Sequence, residues 1–400
     1  MNNINKLVSI IIPVYNGSNY LKEAIDSALA QTYKNIEILV INDGSTDNTE
    51  EIAQSYGDRI RYFKKENGGV STALNMGIEN MKGEYFSWLS HDDIYYPNRT
   101  ELLINALYED GDMTKLAWGD CENFYENTGR KVRRGPDEKS TKITDSVFPI
   151  ISGFVGGCAI LIHRSHFDRV GYFREDLRYT QDIEMWLRMF RGQQSVYVPH
   201  FMHITRIHSE AVSNTKKKEH MAAMVDIGKN IAISLSADEI TRLFGNLRKF
   251  YYYINLTRII QHDGNSLLVK SLFRSQFTST QWEKYLQNQR TYAEKTFANR
   301  DICIFCAGGF GIRVYSELKM LNLSTKYFAD NDLTKHGTII VDDVKCLSFE
   351  ELAKIKDEVM VIVATVTPDN IIEQLQNANF SHITSKQAIE KDLYKIMESI

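Results

Sequence analysis

Four short runs carry side chains that could do chemistry. Pro13-Val14-Tyr15-Asn16-Gly17 ends one β-branched run, and Asn42-Asp43-Gly44-Ser45-Thr46-Asp47 ends another, IEILVI. An aspartate at the carboxyl end of a strand can accept an N–H from a planar base, so Asp43 suits a nucleotide. Asp-Gly is also a common turn pair, and Ser45, Thr46 or Asp47 can cap a following helix. The third run, Trp88-Leu89-Ser90-His91-Asp92-Asp93, leads into two adjacent carboxylates. Such a pair repels itself unless a cation or hydrogen-bond donors compensate it. A hard divalent ion with oxygen ligands, its shell completed by a sugar-nucleotide diphosphate, is the natural partner, and an acidic turn before Pro97 is the bland alternative. The fourth run, Thr180-Gln181-Asp182-Ile183-Glu184-Met185-Trp186-Leu187-Arg188, reads as a helix start with Ile183, Trp186, Leu187 and Phe190 on one apolar stripe. Asp182 then sits near the positive end of the helix dipole, where it could be an ionised base or simply favour the helix start.

These runs need a scaffold that brings them together. From Leu7 to about Trp88 short apolar runs alternate with amphipathic ones in a βαβαβαβ rhythm. Near-continuous apolar strands separated by helices imply a parallel sheet covered on both faces, with ligands at the carboxyl ends of its strands. The loops after Val14, Ile41, Phe63 and Leu89 are therefore the ones to watch. Beyond Pro97 the pattern is mixed: a helix at NRTELLINALYED, a glycine-rich ISGFVGGCAILIH, and a helix at QDIEMWLRMF. The glycines from Gly153 to Gly157 either let backbone approach an acceptor or make a tight buried turn.

Together the four runs resemble the inverting family 2 glycosyltransferases with the GT-A fold, over about Leu7 to His208. The resemblance implies that Pro13, Val14, Tyr15 and Asp43 hold uracil, Asp92 faces the ribose and Asp93 ligates Mn2+ or Mg2+. It further implies that Asn67-Gly68-Gly69 lies beside the nucleotide and that Asp182 is the general base. Arg206-Ile207-His208 fits the segment that closes over the diphosphate, with His208 as a further metal ligand or a surface histidine. Gly156, Gly157 and Trp186 are placed on the acceptor side. The chain departs from the pattern at Ser90-His91, where many relatives carry an extra acid, and at Gln181, where many carry Glu.

Four hundred residues, 43% hydrophobic and 24% charged, describe a modular globular protein rather than a disordered or membrane-embedded one. Lys plus Arg number 47 against 51 for Asp plus Glu, a formal charge of −4, so no global positive field invites nucleic acid. The local basic run Arg130, Lys131, Arg133 and Arg134 could meet an anionic acceptor or a membrane surface, or be a solvated loop. Five scattered cysteines give no disulfide framework, and no secretion signal or membrane-spanning run is expected. A cytoplasmic enzyme follows, with peripheral contact at the inner membrane face left open.

The domain reading is a GT-A unit over 1–214, a helical connector over 215–298 and a smaller Rossmann-like α/β domain over 299–400. Phe250, Tyr251, Tyr252 and Tyr253 are read as packing residues of the connector. Cys306-Ala307-Gly308-Gly309-Phe310-Gly311, with Asp330 beyond, has the placement of a dinucleotide fingerprint, with Cys306 at the first glycine. That substitution favours a structural or oligomerising role over ligand binding. The domain resembles those appended to bacterial polysaccharide-assembly enzymes. Cys303 and Cys306 are expected on opposite sides of a strand, without a disulfide or zinc.

The function expected is metal-dependent, inverting transfer of a hexose from a nucleotide sugar, UDP-linked, to a hydroxyl of a glycan or lipid-linked glycan in bacterial surface polysaccharide or glycoprotein glycan synthesis. The rivals are a non-catalytic nucleotide-binding scaffold and a bifunctional enzyme with a sugar-modifying C-terminal domain. Asp93 and Asp182 argue against the first, Cys306 against the second.

Overall fold

The computed structural model describes residues 5–136, 147–151, 153–211, 215–216, 219–220, 222–223, 226–227, 230, 234–247, 250, 274–297, 300–320, 323–365 and 368–400. The chain divides into two compact units, Met1–Phe273 and Arg274–Ile400.

The first unit opens with β1 (Val8–Val14), α1 (Leu21–Leu29), β2 (Ile36–Asn42), α2 (Thr49–Gln54), β3 (Arg61–Lys64), α3 (Val70–Asn80) and β4 (Tyr85–Trp88). Every residue of β1 is buried, as its unbroken apolar run VSIIIPV requires of a strand covered on both faces. It pairs in parallel with β2 and β4, and β3 joins β2 in parallel. The strand order thus turns back at β1 and β4, which opens a crevice at their carboxyl ends. Gly77 sits where a Cβ would lie 2.5 Å from Ile11 Cγ2, so α3 packs directly on β1.

The chain then continues through β5 (Ile94–Tyr95), α4 (Arg99–Asp110), β6 (Leu116–Tyr125), β7 (Arg130–Arg134), α5 (Phe148–Ile151), β8 (Ile160–His163), α6 (Ser165–Val170), α7 (Gln181–Phe190) and β9 (Ser195–Ile207). The sheet runs β3-β2-β1-β4-β8-β6-β9-β5, with β7 on β6. β8 is antiparallel to both β4 and β6, while β9 runs parallel to β6 through a register shift near Asp120. This mixed α/β sheet is the architecture the GT-A expectation calls for. Apart from the β6–β7 hairpin, these later strands pair with partners far away in sequence.

Of the segment 215–298, α8 (Ala237–Phe244) belongs to the first unit. A capping box of Ser236 and Glu239 starts it, Arg191 pairs with Glu239 at 2.7 Å, and Phe244 packs between Phe148 and Phe250. Tyr251, Tyr252 and Tyr253 lie outside the described residues.

The second unit contains α9 (Ser279–Phe297), β10 (Asp301–Phe305), α10 (Gly309–Met320), β11 (Thr325–Ala329), β12 (Ile339–Val341), β13 (Val344–Leu347), α11 (Phe349–Lys354), β14 (Val359–Val363), α12 (Asp369–Asn377), β15 (Ile383–Ser385) and α13 (Lys386–Glu398). Its sheet runs β12-β13-β11-β10-β14-β15, parallel except for the β12–β13 edge. Ala293 and Phe297 of α9 are buried in its core, so the helix is part of this unit. Cys306 takes the left-handed backbone a glycine would supply, at φ +82°. Asp330 accepts the Ala307 N–H at 2.7 Å and the Lys335 ammonium at 2.8 Å, which ties the turn to β11. All five cysteines are outside disulfides. The turn breaks the strand alternation, however, and Cys306 packs on the same apolar cluster as Cys303 rather than on the opposite side.

Candidate active site

The loops after β1, β2, β3 and β4 converge with the start of α7 and the end of β9 around a cleft of about 650 Å³. Of the residues expected in the site, Pro13, Val14, Tyr15, Asp43, Asn67, Gly69, Asp92, Asp93 and Asp182 all line it. They come from five separate stretches of sequence. His208, Gly156, Gly157 and Trp186 do not line it, although two of these sit directly behind the wall.

On the β1–β2 side Tyr15 is 49% exposed, an aromatic face open to a planar ligand. Asp43 is almost fully buried and holds the neighbouring loop. Its Oδ1 accepts from Lys65 Nζ at 2.6 Å and the Gly68 N–H at 3.0 Å, and its Oδ2 accepts the Gly69 N–H at 2.7 Å. Lys65 also donates to Thr72 at 2.8 Å, so strand end, loop and helix α3 are tied by one ammonium. Gly69 makes this possible with φ +95°.

Asp92 and Asp93 are shifted in opposite directions. His208 Nε2 lies 3.1 Å from Asp92 Oδ2. Burial works against the Asp92 charge, but the His208 hydrogen bond and the nearby His91 outweigh it and hold Asp92 below the usual carboxylate range. The same contact raises His208. Asp93 goes the other way: burial first, then the charge of Asp92, push it well above that range. It is only 6% exposed, whereas an acid in a turn is expected to be open to solvent. The turn is covered by β9, whose Arg206 N–H donates to Asp93 Oδ1 at 3.1 Å. Two carboxylates, one of which cannot carry its charge unaided, fit a hard divalent cation at the cleft face. Arg206 itself pairs with Glu23 at 2.6 Å and lies over the Tyr20 ring, so it anchors the end of β9.

Asp182 stands in the first turn of α7, and burial raises its carboxyl above the ordinary value. Thr180, just before the helix, is held at φ +61°, an uncommon conformation for a β-branched residue. A side chain on Gly157 would begin 3.5 Å from Asp182 Oδ2 and 3.4 Å from Trp88, so bare backbone abuts the acid. Gly156 instead faces His203 and Cys121. The helix is rotated from the expected stripe: it buries Met185, Trp186, Met189 and Phe190. Trp186 is therefore 1% exposed, edge-on to Phe173. The basic run of β7 is largely matched by its neighbour strand, through Lys131–Glu122 at 2.8 Å and Arg133–Asp120 at 2.7 Å.

The cleft also holds residues that sequence reasoning did not single out: Lys216, His220 and Arg178 on the α7 side. Lys65 was within reach, because it sits one residue past β3. Lys216 and His220 follow the closing segment with no motif to mark them.

A family model described as glycosyl transferase family 2 matches residues 9–171. An uncharacterised glycosyltransferase of Rickettsia prowazekii (strain Madrid E) is 45% identical over 247 residues, which cover 61% of this chain and 77% of that protein. The chain belongs to glycosyl transferase family 2. A second relative of this family 2 enzyme, from Rickettsia typhi, is 50% identical over 217 residues, 54% of this chain and 68% of its own. Staphylococcus aureus TarS 1–349 in complex with UDP-GlcNAc overlays 72% of this chain and 80% of its own, at 16% identity and a TM-score of 0.48. Among the described residues, no helix of this glycosyltransferase is long and apolar enough to cross a membrane.

Proposed function

We propose that residues 1–273 form a metal-dependent, inverting hexosyltransferase that uses a nucleotide sugar, UDP-linked, and delivers the sugar to a hydroxyl of a surface glycan or lipid-linked glycan. The observation that carries this reading is the convergence of Asp43, Asp92, Asp93 and Asp182 on one cleft, with Asp182 raised by burial. In this reading Tyr15 stacks on the base and the strand end at Pro13 and Val14 borders it, while Asp43, already rigid, offers a remaining lone pair to a base N–H. Asn67 and Gly69 line the nucleotide's flank and Asp92 the ribose.

Asp92 and Asp93, with His208 against Asp92, would hold Mn2+ or Mg2+, which supplies neutralisation of charge on the departing diphosphate. Asp182 takes the proton of the acceptor hydroxyl, and that oxygen attacks the anomeric carbon from the face opposite the leaving group. The glycosidic bond forms as the bond to the diphosphate oxygen breaks, so an α-linked donor yields a β-glycoside. The bare backbone at Gly157 leaves room beside Asp182 for the acceptor. The buried Trp186 supports that wall from behind. Lys216 and His220 offer further hydrogen-bond donors on the α7 side of the cleft.

The test is a donor panel: release of UDP, GDP or dTDP from a range of sugar nucleotides, with Mn2+ and with EDTA. UDP release that needs the metal supports the reading. Equal turnover in EDTA, or release of GDP alone, refutes it.

A further inference from the structure

Asp93 has a second set of neighbours that do not line the cleft. Asp93, Cys158 and His203 each bring one ligand atom to within 4.8 Å of the other two, and all three are buried. Cys121 is the register partner of His203 between β6 and β9 and is itself fully buried. His203 and Cys121 bracket the point where a side chain on Gly156 would begin, 3.2 Å from His203 Cε1 and 3.3 Å from Cys121 Sγ, so the glycine leaves that space open. His203 Nε2 pairs with Thr205 Oγ1 at 3.0 Å, whereas Nδ1 has no hydrogen-bond partner among the described residues.

Arg99 is fully buried beside this group; its Nη2 donates to the Cys158 carbonyl at 3.1 Å and the Ile160 carbonyl at 2.8 Å, and its guanidinium lies 4.1 Å over the Tyr95 ring.

We propose that Asp93, Cys158 and His203 form a buried site for a thiophilic divalent ion, Zn2+ by its chemistry, separate from the hard-ion position at the cleft. A thiolate, an imidazole and a carboxylate suit zinc, whereas Mg2+ and Mn2+ take oxygen. Bond lengths of about 2.0–2.3 Å to zinc need donors about 3.3–3.8 Å apart, so the three closest atoms have only a small distance to close. Binding displaces the thiol proton of Cys158 and leaves His203 Nδ1 as the neutral donor. The ion is taken up as the chain folds, because its ligands are closed off afterwards. It keeps Asp93 ionised and in place, which bears on donor binding only if the glycosyltransferase mechanism proposed above is right.

The experiment uses the full chain, produced in zinc-depleted medium with CoCl2. The expected result is one cobalt per chain, thiolate-to-cobalt charge-transfer absorption in the near ultraviolet and the visible bands of a tetrahedral ion, all absent from protein produced with ZnCl2 in place of CoCl2. Cobalt should persist through dialysis against EDTA. Cys158→Ser should abolish the charge-transfer absorption. Absence of that absorption in the wild-type protein overturns the proposal whether or not the variant folds, as does absorption unchanged in Cys158→Ser. Binding of UDP with Mn2+, measured on the same samples, fails or succeeds separately from the cobalt spectrum and so reports on the donor reading alone.

Discussion

Asp182 and Asp93 are both carboxyls raised by burial, and the proposed function gives them different uses. A base works best when its pKa lies near the operating pH, and removing one costs about 10²- to 10⁴-fold in rate. Asp182→Asn should lower kcat by that order and leave UDP affinity within a few-fold, as read by calorimetry. Because burial shifts the group upward, it takes up its proton at a higher pH than an ordinary carboxyl. The rate of the wild type should therefore fall as pH drops through that raised value, and the residual rate of Asp182→Asn should lack this acid limb. A variant that loses UDP binding together with rate would move the base elsewhere. At Asp93, an isosteric Asn keeps the acceptor for the Arg206 N–H but removes the charge. Asp93→Asn should abolish the increment in UDP affinity that Mn2+ produces, and an undiminished increment would remove Asp93 from the ion's shell. Both acids could be picked out from type and position alone. Their burial could not, because it depends on β9 covering the turn from more than a hundred residues away.

Strands and helices with local signatures were legible, and elements defined by distant partners were not. The strand ends after Val14, Asn42, Lys64 and Trp88 fall within a residue of the loops the βα rhythm points to. A buried parallel strand announces itself by an unbroken apolar run. The start of α7 is equally plain, yet its buried face is turned toward Met185 and Met189, because amphipathic spacing permits neighbouring stripes and packing on Phe173 selects one. The pairing of Cys121 with His203, and their approach to Cys158, has no trace in local sequence. Tight packing between elements is testable at Gly77. Alanine there gains about 1 kcal/mol of helix propensity. Its Cβ, however, would lie 2.5 Å from Ile11 Cγ2 in a fully buried strand, and overpacking costs about 1–3 kcal/mol. Gly77→Ala should lower the Tm by a few degrees, and a raised Tm would show that α3 can lift off β1 without loss.

Every described residue of the candidate site lies in the first compact unit, while the second has its own sheet and core. The composition shift near residue 300 marks the second unit's first strand. It does not mark the unit's beginning, because α9 reads as one more amphipathic helix until its burial is known. Ala293 and Phe297 of that helix fill the second core together with Ile304, Phe328 and Ile389. A chain ended after Phe273 should therefore remain soluble and bind UDP with Mn2+ as tightly as the full chain. A chain ended after Ala298 carries a helix stripped of its core, with Tyr285, Ala293 and Phe297 newly exposed, and apolar surface of that kind drives association. Size-exclusion chromatography should show the 1–273 chain at a single defined mass and the 1–298 chain shifted to larger species, with residues 274–400 soluble when produced alone. If the 1–273 chain loses UDP affinity while keeping its fold by circular dichroism, the second unit contributes to the donor site and the two units do not function separately.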